Sequence, residues 1–460
     1  MKLKLKSSRK SHSQTAQLVD EHSSAPVAAQ PSADELAQLE ADYAALCRTC
    51  TVVALGSPGG GASTLVRLFR LLWSPPSDVA GLQSAFAPVI QCNTIDSMLV
   101  VLKTMGQLGV SFVGDEASKA AAAKHLQEEF VNPYMAPPTV EQWQAWEQAG
   151  LRPLYGLPPL SPEQRADVST ATSNLLSLIQ DAGVRTAGGS LVSSQVWAMN
   201  DPPEYMFRHA ARICAAVDYA PTIQDVIRSR QYSRLFDAAE FEAPDSSAND
   251  SSGTTSQQQQ QRRVIVLEPG QRHSLLAKHT SDKWLRCFVE RPAGTMKVTF
   301  STSVVAYTQP AAQSGRTAMH DAIDQVQALC KRLYAPLFTA TRAAENDGLL
   351  EFSHVPRAPP TGPPTLHIIL TRMDLLRHRL CTKSLASVFP DFHQPHPSNF
   401  PPSTSAEVDA LVQAANAFLA KLFATAAVSA GAPPLLVKVH LQAAILTAEV
   451  AQQLTSIALE

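Results

Sequence analysis

The chain has 460 residues, which allows two or three domains at roughly 150 residues each, and 45 % of it is hydrophobic. Only 17 % is charged and the net charge is −2, which argues against a basic nucleic-acid binder. No run of ~18 uninterrupted apolar residues marks a membrane span, no apolar stretch behind the charged start marks a secretory signal, and the sparse cysteines read as reduced cytosolic thiols.

The opening MKLKLKSSRK carries five positive charges and no negative ones. With the polar stretch behind it, this reads as a disordered basic arm over residues 1–31. Ser32 stands three before Glu35, a capping-box spacing, and Leu36, Leu39, Tyr43 and Leu46 recur at helical intervals. An N-terminal helix is expected over 32–50, docked on its own domain or on a partner. The β-branched run Thr51–Leu55 reads as a buried strand, followed by a glycine-rich loop and a helix that Pro75 and Pro76 stop. Residues 77–225 read as an all-helical insert, with helices around 94–105, 164–182 and 204–216 and a proline-rich loop over 131–163. Strands are expected at 263–271, 296–307, 365–374 and 434–441, and helices at 317–334, 405–425 and 446–458. Such alternation argues for a mostly parallel, doubly wound sheet. Ala243–Gln261 is Ser/Asp/Gly-rich, ends in glutamines, and reads as a low-complexity insert.

The strand-loop-helix unit nearly matches G-x-x-x-x-G-K-[ST]: Gly56, four residues, Gly61, Ala62, Ser63. Glycines let backbone N–H groups curl around an anion, and the helix N-terminus adds a positive dipole. The lysine that reaches the outer phosphates is replaced by Ala62. By itself this loop is equally compatible with a plain structural turn.

A second segment, VDYAPTIQDVIRSR over 217–230, carries more information. Together with NTIDSMLVVLKTMGQLG at 93–109, it resembles the α subunit of heterotrimeric G proteins and their D-Y-x-P-T-x-Q-D-V-x-R-x-R hallmark. GQR at 270–272, KWLRCF at 283–288, and Asn200-Asp201, Tyr205 and Arg212-Ile213 also resemble that family, over most of 34–458. The resemblance implies an α/β fold: a Ras-like P-loop nucleotide-binding domain with a mostly parallel sheet, interrupted by an inserted all-helical domain. The implied boundaries are 51–76 and 226–460 for the Ras-like parts and 77–225 for the helical domain. It also implies GTP/GDP and Mg²⁺ as ligands. Gly56, Gly59, Gly60, Gly61, Ser63 and Thr64, with Ala62 among them, would line the phosphates. Ser63 and Ser233 would ligate Mg²⁺. Arg230 would be an arginine finger in cis, Gln271 would orient the attacking water, and the Gly270 N–H would sense the γ-phosphate. Asp374 would accept from guanine N1 and N2, Arg372 would stack on the base beside Thr371, Ala443 would offer its N–H to guanine O6, and Asp201 would touch the nucleotide from the helical side.

The departures are specific. Ala62 removes a phosphate-bound cation; one charged hydrogen bond is worth roughly 1.5–3 kcal/mol, or about 10- to 150-fold in affinity. The family's D-V-G-G-Q stands as Leu267-Glu-Pro-Gly-Gln271, so Leu267 has no oxygen for the Mg²⁺ shell. Glu268 is a weak stand-in, because neighbouring strand side chains point to opposite faces. Pro269 stiffens a segment that must move on hydrolysis. N-K-x-D stands as Thr371-Arg-Met-Asp374, and the low-complexity run replaces a family strand after Ser233.

Two functions fit these residues. One is a guanine-nucleotide-binding signal transducer that hydrolyses GTP slowly. The other is a non-catalytic pseudo-GTPase that binds a βγ dimer or scaffolds signalling. A βγ dimer gripping the N-terminal helix and the region after Gly270 is the expected partner, with an effector and no nucleic acid. Coupling to a seven-helix receptor is not expected, since the last helix stops early. The expected location is cytoplasmic, or the inner face of the plasma membrane if the basic arm adsorbs to anionic lipid rather than staying solvated. Lys2 and Leu3 exclude N-myristoylation. Cys47-x-x-Cys50 reads as ordinary thiols, with palmitoylation or metal binding as the alternative, and His393 with His396 as a surface loop rather than a metal site.

Overall fold

The computed structural model describes residues 49–135, 159–193, 203–215, 219–230, 237–244, 261–268, 295–311, 315–346, 363–393, 404–442 and 448–459, less a few single positions, with isolated positions elsewhere. By internal contacts the chain divides into Met1–Ala45 and Leu46–Glu460, and every labelled strand and helix lies in the second unit.

Among the described residues, six strands form one sheet in the order β2-β3-β1-β4-β5-β6. They are β1 (Thr49–Gly56), β2 (Asp237–Pro244), β3 (Gln261–Glu268), β4 (Met296–Ser303), β5 (Thr365–Thr371) and β6 (Val437–Gln442). All neighbours run parallel except β2, which pairs antiparallel with β3. A sheet of this kind is covered on both faces, and its inner strands β1, β4 and β5 are buried along nearly their whole length. Period-2 alternation assigns β1 to both cores. Cys50, Val52 and Ala54 join one apolar cluster, and Val53 and Leu55 join the other.

The first cluster lies under α1 (Ala62–Trp73), which packs on β1, β2 and β3. It continues into helices that pack on one another: α2 (Pro76–Leu108), α3 (Glu116–Glu128), α4 (Pro162–Ile179), α5 (Ala182–Ser193) and α6 (Pro203–Ala215). The second cluster lies under α8 (Ala318–Asn346) and α10 (Ser405–Ser429), with α9 (Met373–Thr382) beside them. The last helix, α11 (Ala448–Leu459), returns to β1 on the first face. Two helices, Pro76–Leu108 and Ser405–Ser429, are long and apolar enough by composition to cross a membrane. The first supplies residues to the core under α1 and the second to the core on the other face.

Several expectations need correction. The segment after Ser233 does contain a strand: β2 forms a ladder with β3 from Asp237↔Glu268 to Pro244↔Gln261, so both ends of the low-complexity run are strand. The run expected at 296–307 leaves the sheet at Ser303 and closes as a 3-10 turn over Val304–Thr308. The helix around 94–105 is the middle of a much longer one, α2, and α3, α5 and α9 were not anticipated. The helix expected over 32–50 cannot reach its end, since Thr49 and Cys50 already belong to β1; the basic arm, nearly all of the rest of that helix and most of the loop at 131–163 lie outside the described residues.

A short helix, α7 (Ile223–Arg228), joins the helical part to the sheet. Thr222 and Asp225 form its capping box. The fully buried Asp225 carboxylate also takes both guanidinium nitrogens of Arg212 (2.9 and 2.7 Å), the hydroxyls of Tyr205 and Tyr219 (2.8 Å each) and the Thr222 N–H (2.8 Å). Burial alone would raise its pKa. Arg212 and the other donors outweigh that and hold the carboxyl well below the usual carboxylate range. Replacing Asp225 with Ala leaves Arg212 and two tyrosine hydroxyls without this acceptor. We expect a loss of about 3 kcal/mol at neutral pH in urea unfolding. Because the folded pKa is depressed, this stability is present above an unfolded value of about 4 and fades below it. The gap between variant and wild type should therefore narrow in acid.

Candidate functional site

The loop between β1 and α1 is shaped by close backbone approach. A Cβ on Gly60 would lie 2.2 Å from the Ser301 carbonyl oxygen at the end of β4, so only glycine fits. Gly61 caps α1 with φ of 101°, again a glycine conformation. The end of β5 stitches the loop down. The Thr371 hydroxyl donates to the Gly60 carbonyl (2.9 Å), and Arg372 Nη2 donates to the Gly59 carbonyl (3.0 Å). Arg372 has φ of 66°, the one non-glycine with positive φ among the described residues, and it stands at the N-cap of α9. In this structure the Arg372 guanidinium braces the loop by that hydrogen bond and also lines the cavity described below. Ala62 opens α1 and Ser63 follows it.

The segment carrying Arg230 is held from two helices. Asn93 on α2 accepts from the Arg230 backbone N–H and donates Nδ2 to its carbonyl (3.1 Å). Arg67 on α1, buried, donates to the Val226 carbonyl (3.0 Å), the Ser229 carbonyl (2.7 Å) and the Ser229 hydroxyl (3.1 Å). Its guanidinium lies over the Phe86 ring at 5.0 Å. The backbone before Arg230 is thereby tied to the same helix that begins at the glycine loop.

One cavity gathers these parts. Its lining includes Gly61 and Thr64 from the loop and α1, Arg230, Thr371 at the end of β5 with Arg372 just after it, and Gln442 at the end of β6. Arg228 also lines it and pairs with Asp374 at 3.8 Å. Asp374, expected to face guanine donors, thus has a cation beside it. The Arg228 guanidinium rests over the Tyr205 ring at 4.8 Å. Asp201, Ser233, Gly270, Gln271 and Ala443 lie outside the described residues.

At the end of β3 the alternation runs opposite to what the site was expected to need. Val264 and Val266 belong to the core beneath α1, whereas Leu267 packs into the core on the other face. Glu268 therefore turns back toward α1. Its Oε1 accepts a hydrogen bond from Ser63 Oγ at 2.6 Å, and the side chain is buried. Glu268, expected to point away from the loop, thus stands beside Ser63. Opposite orientation of neighbours excludes Leu267 from the site and brings Glu268 into it.

Arg67, Asn93, Arg228 and Gln442 were not singled out from the sequence. Asn93 and Arg228 lie inside the segments that carried the family resemblance, so their position was a usable signal. Arg67 carried only a weak one, a charge on the helix directly behind a glycine loop.

A model of the G-protein alpha subunit family matches residues 29–458. The chain belongs to that family. Similar curated proteins include the guanine nucleotide-binding protein alpha-4 subunit of Caenorhabditis briggsae, 29 % identical over 42 % of this chain and 45 % of that protein. The G(o) subunit alpha of Locusta migratoria is 24 % identical over 42 % and 44 %. The alpha-1 subunit of Neurospora crassa is 28 % identical, again over 42 % and 44 %. The match therefore spans a little under half the length of each relative.

Asp96 on α2 gives a pH-dependent prediction next to Arg230. Burial raises its pKa to about 6, against the opposing effects of the Asn132 hydrogen bond (2.5 Å) and the Arg230 charge. A folded pKa above the unfolded value means that stability is highest in acid and declines as pH rises to about 6. Asp96→Asn removes that decline. Denaturant melts should show little difference from wild type near pH 4 and a gain of about 2–3 kcal/mol at pH 7.5.

Proposed function

We propose that the protein is a guanine-nucleotide switch of the G-protein alpha type that binds GTP and GDP with Mg²⁺ and hydrolyses GTP slowly. The observation that carries this reading is the single cavity shared by Gly61, Thr64, Arg230, Thr371 and Arg372, residues from three distant parts of the chain. Backbone N–H groups of the loop and the positive end of α1 would hold the phosphates. Ser63 and Glu268 supply hard oxygen donors of the kind Mg²⁺ takes, one carboxylate and one hydroxyl completed by phosphate oxygens and water. The bound cation would neutralise charge on the phosphate oxygens.

In this reading Arg230 stabilises charge on the transferring phosphoryl group, and Asn93 fixes its backbone so that the guanidinium needs little reorganisation. Gln271 orients the attacking water, and Gly270 contacts the γ-phosphate. Ser233 completes the metal ligands, Asp374 and Ala443 read guanine, and Asp201 reaches the nucleotide from the helical side. The protein's partners would be a βγ dimer and an effector, in the cytoplasm or at the inner face of the plasma membrane. The Ras-like parts would be 51–76 and 226–460, with the helical domain at 77–225.

A second reading, a non-catalytic module that binds βγ or scaffolds signalling, is favoured by Ala62 at the first position of α1 and by Leu267 turned into the core.

Titration with a fluorescent, slowly hydrolysed GTP analogue, with ATP as competitor, separates the two. The switch reading expects saturable, guanine-selective binding that Ala62→Lys tightens by about 10- to 150-fold. Absence of binding at high micromolar analogue leaves the partner module. In single-turnover hydrolysis, Arg230→Ala should slow GTP cleavage on the order of 10³-fold with little change in analogue affinity.

A further inference from the structure

We propose that Glu268 is this chain's metal-shell carboxylate, displaced by one residue from Leu267, and that with Ala62 in the loop it makes nucleotide affinity strictly dependent on a divalent cation. The inference rests on the guanine-nucleotide reading and adds a residue and a dependence to it.

Three observations converge. Ser63, second residue of α1, donates to Glu268 Oε1 at 2.6 Å, so a hydroxyl and a carboxylate already stand within one coordination sphere of each other. Strand alternation directs Glu268 there: Val264 and Val266 on the same face pack beneath α1, while Leu267 is committed to the opposite core. The extra methylene of glutamate lets a residue one step farther along β3 span the gap to α1. Finally, Ala62 places a methyl beside Ser63 where a lysine ammonium would have neutralised phosphate charge.

The electrostatic consequence follows from the exchange of charges. Without a cation, Glu268 and a triphosphate bring like charges to the same end of α1, and no lysine offsets them. With a divalent cation between them, both anions become ligands of one charge, and repulsion turns into attraction. With Ala62 in place of a lysine, chelation of the metal should leave the loop little grip on the phosphates beyond what the cavity arginine Arg230 supplies.

The test uses the full chain, the slowly hydrolysed GTP analogue and Mn²⁺, whose free-ion electron paramagnetic resonance signal is lost on binding. For wild type, analogue affinity should fall at least 100-fold between Mn²⁺ and EDTA. Glu268→Gln should raise the Mn²⁺ concentration for half-saturation at least tenfold in the presence of analogue, and should leave affinity in EDTA equal or tighter. Glu268→Asp, which keeps the charge on a shorter stem, should fall between the two and carries the test if the glutamine variant melts at a much lower temperature. An unchanged Mn²⁺ midpoint in both folded variants would overturn the inference while leaving the switch reading intact. So would tighter analogue binding by Glu268→Gln in Mn²⁺ as well as in EDTA, since the carboxylate would then be a barrier to phosphate. Failure of wild type to bind analogue in either condition would overturn both.

Discussion

Asp225 has no exposed surface, yet it is an anion that must be satisfied inside the protein. Five donors from α6, Tyr219, Thr222 and the capping turn of α7 converge on its two oxygens. A charge buried to this extent permits few alternative arrangements, because moving any one partner leaves another unpaired. That constraint determines where α7 begins and therefore where Arg230 emerges two residues past its end. Arg67 and Asn93 then fix the emerging backbone from α1 and α2. The placement of one cavity-lining arginine is thus inherited from a buried carboxylate five positions earlier in the chain.

The glycine loop is organised by the same logic with different chemistry. Its carbonyls at Gly59 and Gly60 are taken by Arg372 and Thr371, and a Cβ at Gly60 would meet Ser301. Three strand ends, β1, β4 and β5, therefore meet at the loop. Thr371 and Arg372 differ from the asparagine and lysine of the family pattern but still bind the loop backbone, since a hydroxyl and a guanidinium can donate across that gap. Ala62 has no such substitute, because a methyl cannot act as a cation. Glu268 changes the balance at the other side of α1 by adding a negative charge beside Ser63.

Much of the fold was legible because it follows from local rules. Continuous β-branched runs marked the buried strands, prolines marked the end of α1, and alternation of strands with helices implied the parallel sheet. The hallmark at 217–230 singled out Arg230, and Tyr205 and Arg212 appeared in the segment just before it. Other features escaped for physical reasons. β2 was obscured because its sequence, DAAEFEAP, is short and acidic, and its pairing with β3 crosses a low-complexity run. α9 begins at the very residues that read as the end of a strand, because Arg372 adopts a left-handed turn that nothing in its side chain announces.

The sequence by itself determined which residues are apolar on a period of two, which backbone positions demand glycine, and which hydroxyls, carboxylates and guanidines the chain possesses. These are properties of single residues and their immediate neighbours. Only the tertiary structure decided which face of β3 looks toward α1, and hence that Glu268 rather than Leu267 meets Ser63. It also decided that Arg67 and Asn93 grip the segment before Arg230, and that Arg228 stands against Asp374. The reason is the same in each case. Alternation specifies that neighbours point to opposite sides, but not which side carries which helix. That choice is made by the packing of α1 and α8 on the two faces of the sheet, between partners separated by well over a hundred residues.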